Sequence, residues 1–364
     1  MDKKVRIVAV IGALAFSAYV LTSPSDPLPL PEPSSFKSED DSVMILAENL
    51  DSPRSLAVFE NRVFVTEKYG MIRVVQDNKL LEEPLATLRP ALPFDGGLLG
   101  ITLHPEFSEN NLLYVYLTYE ENGKLWNKIL QIKESNNKLV DATTIFDKIP
   151  GSEFTNGGFL KFGPDKKLYV GTGTISDSSH DPQNLNSLSG KILRLNYDGS
   201  IPEDNPFSDS PVYTLGHRNP QGMTWDDSGK MYLAEIGPEK NDEINIIIAG
   251  KNYGWPEQQC SGHAEFENAI MCYDPSIEPA GILYYSKDKI NLDSPFVMAS
   301  LRATNLYQLD FEEGLNSQKT ILSGVGRIRD VEEGSDGSLY IITSNTDGKG
   351  FPDNMDDKLL RVMK

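Results

Sequence analysis

From about Val43 onward the sequence repeats one pattern: an alternating apolar run, a polar turn carrying Asp, Asn or Gly, and another alternating run centred on Tyr or Phe. Five copies are plain: Leu56 to Val75 around Phe64, Ile101 to Ile132 around Tyr114, Leu160 to Leu195 around Tyr169, Met223 to Ile248 around Tyr232, and Ile328 to Val362 around Tyr340. A weaker sixth runs from Ile282 through Leu306-Tyr307-Gln308-Leu309. Apolar residues at every second position place one face of a pleated strand in a core, so each copy reads as antiparallel strands joined by turns. A small sheet of this kind cannot bury itself alone and must borrow a face from its neighbours. The pattern predicts an all-β chain, a six-bladed β-propeller of four-stranded antiparallel blades. A pair of β-sandwiches is the competing arrangement. An α/β fold is disfavoured, because no amphipathic helical period longer than a few turns follows the N-terminus. Propeller ligands sit at one mouth of the central channel, where loops from several blades converge, so site residues are expected to be scattered along the chain.

The N-terminus has a different character. Lys3, Lys4 and Arg6 precede an apolar run from Ile7 to Leu21, the layout of a secretory signal, with Ala15-Phe16-Ser17-Ala18 as a weak cleavage site. The run is short of the roughly 20 residues of a membrane span, and an uncleaved anchor is the alternative. Pro24, Pro27, Pro29, Pro31 and Pro33 then make a stiff, extended spacer. The expected division is a signal peptide or membrane anchor over 1–22, a Pro-rich tether over 23–41 and the propeller over 42–364. It places the protein outside the cytoplasm, secreted or anchored to the outer face of the membrane. In that setting Cys260 and Cys272 are expected to form a disulfide that pins a loop, two buried thiols being the alternative. Acidic residues outnumber basic ones 53 to 34, for a net charge of -19, which argues against nucleic acid as a partner. A small anion would bind only where cations are gathered locally.

The densest motif region spans Gly216 to Pro256. It reads Gly216-His217-Arg218-Asn219-Pro220-Gln221-Gly222, then Glu235-Ile236-Gly237-Pro238 with Asp242-Glu243, then Asn252-Tyr253-Gly254-Trp255-Pro256. An arginine and two carboxamides on a turn bounded by glycines present fixed donors. A Gly-Pro turn beside acids can aim main-chain carbonyls at a hard cation such as calcium. Further runs are Asp95-Gly96-Gly97-Leu98-Leu99-Gly100 with Leu103-His104-Pro105, Gly190-Lys191-Ile192-Leu193-Arg194-Leu195 with Asp198-Gly199-Ser200, and Arg327-Ile328-Arg329-Asp330. Together these resemble the glucose/sorbosone dehydrogenase family, whose soluble aldose dehydrogenases use pyrroloquinoline quinone (PQQ).

The resemblance implies oxidation of an aldose sugar at its anomeric carbon to the lactone, with electrons passed to an external acceptor. It implies PQQ and calcium as cofactors, with the quinone's three carboxylates held by basic residues. Carried onto matching positions, Arg218, Asn219, Gln221, Arg302, Arg327 and Arg329 would hold the cofactor. The carbonyls of Gly237 and Pro238 would bind calcium, and Asp242 and Glu243 would support that loop or bind a second ion. Alternation along a strand would put Arg327 and Arg329 on one face.

One corner departs from the family. In Phe154-Thr155-Asn156-Gly157-Gly158, Thr155 stands where the catalytic histidine is expected, and Thr174 replaces a common aspartate. Threonine cannot take the anomeric hydroxyl proton near neutral pH. Asp95, Glu153 and His180 are substitute bases by residue type, with Asp95 and Arg218 grouped beside Thr155 as the candidate catalytic set. Two alternatives stay open: a binding propeller that keeps a cofactor or calcium site without turnover, and a calcium-assisted lactone hydrolase.

Overall fold

The computed structural model describes residues 42–287, 289–311 and 316–363. The signal or anchor and the proline-rich tether lie outside the described residues. The remainder is a ring of six antiparallel blades, the predicted propeller. Strand β1 (Val43–Ala47) precedes the first blade, which is β2 (Pro53–Phe59), β3 (Arg62–Glu67), β4 (Met71–Gln76) and β5 (Lys79–Leu80), with the short β6 (Ala86–Thr87) also pairing β4. The second is β7 (Leu98–Leu103), β8 (Leu112–Glu121), β9 (Lys124–Ser135) and β10 (Lys138–Pro150). The third is β11 (Gly157–Phe162), β12 (Leu168–Thr172), β13 (Lys191–Leu195) and β14 (Val212–Leu215). The fourth is β15 (Pro220–Trp225), β16 (Met231–Glu235), β17 (Asp242–Ile247) and β18 (Met271–Tyr273). The fifth is β19 (Pro279–Tyr284), β20 (Phe296–Ser300), β21 (Asn305–Asp310) and β22 (Ser317–Ser323). In the sixth, β23 (Ile328–Glu333), β24 (Leu339–Thr343) and β25 (Leu359–Val362) take β1 as their outer strand. The start of the chain thus closes the ring.

Each blade borrows its missing face from the next. The buried apolar side chains fall into six clusters, one at every seam between neighbouring blades, as in Leu56 and Val65 of the first against Ile342 and Leu359 of the sixth. The aromatic centres of the repeats supply much of this: Phe64 and Tyr114 are fully buried on the second strands of their blades, and Tyr169, Tyr232 and Tyr340 nearly so. The last seam is also stitched by polar groups, where Asp330 Oδ2 accepts from Ser55 Oγ at 2.8 Å and from Leu56 N at 3.1 Å.

The innermost strands, β2, β7, β11, β15, β19 and β23, pack in sequence around the axis. At Gly100 and Gly222 a Cβ would overlap the carbonyls of Gly158 and Ala280 on the next strand, so only glycine permits that approach. Every one of these strands has a register shift within its first residues, after Pro53, Leu98, Gly157, Pro220, Pro279 and Ile328. Such bulges bend a strand and re-aim its side chains. They do so at the end of the ring where the site lies.

Candidate functional site

A cavity of about 270 Å³ opens at that end of the axis. All six blades line it: Arg54 from the first, Asp95 from the second, Phe154 to Gly157 from the third, Arg218, Asn219, Gln221 and Ile236 to Pro238 from the fourth, Glu278, Leu301 and Arg302 from the fifth, and Arg327, Arg329 and Lys349 from the sixth. These residues lie just before or at the start of an innermost strand, or follow the second strand of a blade. Six cations, Arg54, Arg218, Arg302, Arg327, Arg329 and Lys349, face two carboxylates, Asp95 and Glu278. A strongly acidic chain has gathered a positive pocket on its axis, which is the arrangement needed to hold a polyanion against the global field.

The guanidinium groups are only partly neutralised. Arg327 Nη2 donates to Glu278 Oε2 at 3.1 Å and Asp347 Oδ2 at 3.0 Å, and Arg302 Nη2 donates to Glu278 Oε1 at 2.8 Å. Burial pushes the Glu278 and Asp347 carboxyls up, but the charge of Arg327, with Arg302 and Arg329 respectively, outweighs it and holds both below the usual range. Arg329 is 8% exposed, donates from Nη1 to Gln221 Oε1 at 3.2 Å, and lies 3.6 Å from Asp347. Its Nε has no hydrogen-bond partner. Burial and then the neighbouring Arg54 lower Arg329 to about 9, so it remains charged at neutral pH but short of anions. Arg54 is likewise lowered by burial, which Asp95 and Asp347 offset only in part. An orphaned donor beside crowded cations suits an anionic guest.

Arg327 and Arg329 do share the cavity, although by a different route from simple alternation. Arg327 precedes β23, Arg329 follows the start of its bulge, and Ile328 between them is buried in the seam with the fifth blade. Arg54 and Gln221 occupy the same place in register on β2 and β15, one residue past the paired prolines Pro53 and Pro220. Arg54 and Lys349, with Asp347 behind them, are additions that sequence reasoning missed. Aligning the three blades on their first strands would have exposed Arg54.

Arg218 is held on all sides. Its Nε and Nη2 donate to Asp177 at 2.8 and 3.1 Å, its guanidinium lies 5.5 Å from the Trp255 ring centre, and its main-chain N–H donates to Glu235 Oε1. Its Nη1 donates to the carbonyls of Ile236 at 3.1 Å and Gly237 at 2.6 Å. The Gly237 oxygen expected to bind calcium is therefore already bonded to a cation, and as arranged these residues do not fit the metal. Asp242 takes the supporting role instead: its Oδ1 accepts from Gly237 N and its Oδ2 from Ser276 Oγ, Ile277 N and Glu278 N. Glu243 is outside the cavity lining, accepting from Cys260 N at 2.6 Å and Asn245 Nδ2 at 3.0 Å. Neither carboxylate is left for a second ion, and among the described residues no three Asp, Glu, His or Cys side chains cluster as a metal site.

Thr155, 8% exposed, lines the cavity with its hydroxyl turned away, donating to the Thr174 carbonyl. Thr155 and Thr174, where the resemblance led histidine and aspartate to be expected, are thus in direct contact. Of the substitute bases, Asp95 lines the cavity, 3.5 Å from the Lys349 ammonium, whereas Glu153 and His180 are exposed and absent from its walls. His217 is fully buried between Glu235 Oε2 at 2.9 Å and Thr214 Oγ1 at 2.8 Å, orienting the Arg218 turn. Cys260 and Cys272 are joined in a disulfide.

The Glucose / Sorbosone dehydrogenase family matches residues 50–361, the whole ring apart from its closing strand and the last residues. The chain belongs to the glucose/sorbosone dehydrogenase family. It is 33% identical to quinoprotein glucose dehydrogenase B of Acinetobacter calcoaceticus over 69% of this chain and 60% of that protein. It is 29% identical to an aldose sugar dehydrogenase of Escherichia coli (strain K12) over 84% of this chain and 91% of that one. Its structure resembles the PQQ-bound aldose sugar dehydrogenase of Streptomyces coelicolor, with a TM-score of 0.79 and 33% identity over 88% of this chain and 98% of the other. Within this family match, six cations line the axial cavity and positions 155 and 174 are both threonine.

Proposed function

We propose that the cavity binds PQQ and oxidises an aldose at its anomeric carbon to the lactone, outside the cytoplasm. The observation that carries this reading is the set of six cations from four blades around one axial cavity in a chain of net charge -19, with Arg329 Nε unpartnered. Arg54, Arg327 and Arg329 would bind the carboxylates through charge-assisted hydrogen bonds, with Arg302 and Lys349 at the rim. Asn219 and Gln221, held against each other at 3.1 Å, would present amides to the ring system. When bound, the quinone supplies the two-electron acceptor, which an external acceptor then reoxidises. Asp95, which lines the cavity 3.5 Å from the Lys349 ammonium, would receive the anomeric hydroxyl proton. The disulfide suits an oxidising compartment.

A second reading, binding without turnover, is favoured by Thr155, whose hydroxyl is spent on Thr174 and takes no proton. Calcium-assisted lactone hydrolysis has no support, since the Gly237 carbonyl is bonded to Arg218. Reconstitution of the purified chain with PQQ, followed by dye reduction with a panel of aldoses, decides among these. Turnover that falls at least about 100-fold in Asp95→Asn supports oxidation with Asp95 as base. Tight uptake with no dye reduction by any aldose selects the binding reading.

A further inference from the structure

Relatives of this chain suggest a metal ion at the Gly237 turn, yet the turn is already served by a cation of the protein's own. Arg218 has five N–H donors. Two on Nη1 go to the Ile236 and Gly237 carbonyls, and Nε with one on Nη2 goes to Asp177. One Nη2 N–H is left over, on a side chain that lines the cavity. Both partners are rigid. The Gly237 turn is fixed from behind by its N–H bond to Asp242 at 2.9 Å, and the arginine by a two-pronged pair with Asp177 and by the Trp255 ring. A divalent ion sharing the Gly237 oxygen would sit against a fixed positive charge. Asp177 belongs to the segment just beyond Thr174, where this chain already departs from its family.

We propose that the Arg218 guanidinium, clamped by Asp177, takes the place of a divalent ion at the Gly237 carbonyl, so that the cavity binds its anionic aromatic guest without calcium. The guanidinium supplies the positive charge and one directed N–H where a metal would supply a Lewis acid. The identity of the guest rests on the quinone reading, while the exclusion of the metal does not.

Two measurements keep those apart. In the first, calcium alone is titrated calorimetrically into the apoprotein, wild type, Arg218→Gln and Asp177→Ala. The wild type should show no saturable uptake up to about millimolar calcium, and each variant, by freeing the carbonyls, should gain affinity by about tenfold or more. The Asp177 change is at a half-exposed side chain, so it tests the clamp if Arg218→Gln fails to fold. Submillimolar calcium binding by the wild type, or unchanged affinity in the folded variants, overturns the proposal. In the second, PQQ is titrated with excess EDTA and then with calcium. Dissociation constants equal within about twofold support it, and tightening by about tenfold or more on adding calcium overturns it. If PQQ binds under neither condition, the quinone reading fails and the calcium titration alone decides the metal question.

Discussion

The hydroxyl of Thr155 is bonded to the main-chain carbonyl of Thr174, so the two positions where the resemblance led histidine and aspartate to be expected form one local unit. Replacing Thr155 takes the donor from the Thr174 carbonyl, and replacing the Thr174 side chain changes the wall that a new side chain at 155 would meet. Thr155→His with Thr174→Asp should therefore raise aldose-dependent dye reduction of the PQQ-loaded protein by about 100-fold, in the range a positioned base supplies, and Thr155→His alone by less. Equal rates for the double variant and the wild type, with PQQ shown to be bound, would mean that proton removal does not limit the reaction.

Arg329 is stored in an unfavourable state, buried with an unpaired Nε beside other guanidinium groups. Arg329→Gln should weaken PQQ binding by about tenfold or more, roughly 1.4 kcal/mol, while leaving the apoprotein's Tm unchanged or higher. Calorimetry and thermal melting read the two effects separately. A drop in apoprotein Tm with unchanged affinity would make Arg329 a structural residue.

Burial, with the Glu332 charge next, pushes Asp330 up to about 7, against 3.8 for an ordinary aspartate. Between those values the folded chain holds a proton that the unfolded chain releases. Stability from this group is full below about pH 4 and is lost as pH rises through about 7. Asp330→Asn cannot ionise, so its Tm should gain on the wild type between pH 5 and pH 8 by about 2 °C or more. A constant difference over that range would show that Asp330 is ionised throughout.

Strand β1 is the outer edge of the sixth blade, with Leu46 and Ala47 buried against the first. A chain starting at residue 42 should melt like the full protein. One starting at residue 48 loses a burial contribution of about 1.5–3 kcal/mol from Leu46 alone and exposes the β25 edge, so its Tm should fall by more than about 5 °C and it should aggregate on heating. Melting and light scattering on the two truncations test this.

The fold was legible because the second strand of each blade is a short apolar run, buried along nearly its whole length around a large central residue, as in Phe64, Tyr114 and Tyr169. Fourth strands were not: β5 is two residues long, β10 is mostly exposed, and β1, at Val43–Ala47, pairs with β25 at the far end of the sequence, Leu359–Val362. No local pattern announces a partner that distant. The site was partly legible. The turn around Arg218 and the Arg327/Arg329 pair stood out as motifs, while Arg54 and Lys349 sit in plain surroundings and become neighbours only when the ring closes. Which donors were already spent could not be read at all. The Arg218 bond to Gly237 and the Asp242 bonds to Glu278 and Gly237 link residues whose motif is unchanged whether or not those bonds form.

Closing the ring with β1 also fixes where the chain leaves it. Ile328, Thr343, Leu359 and Ala47 lie in register at the cavity end of the sixth blade, whereas Val43 and Val362 pair at the other. The described chain, from residue 42 to residue 363, consequently enters and leaves at the back of the disc. A protein held on a support by either terminus would turn its guanidinium-lined opening outward to diffusing solutes, and a fusion at residue 42 or 363 would leave that doorway unobstructed.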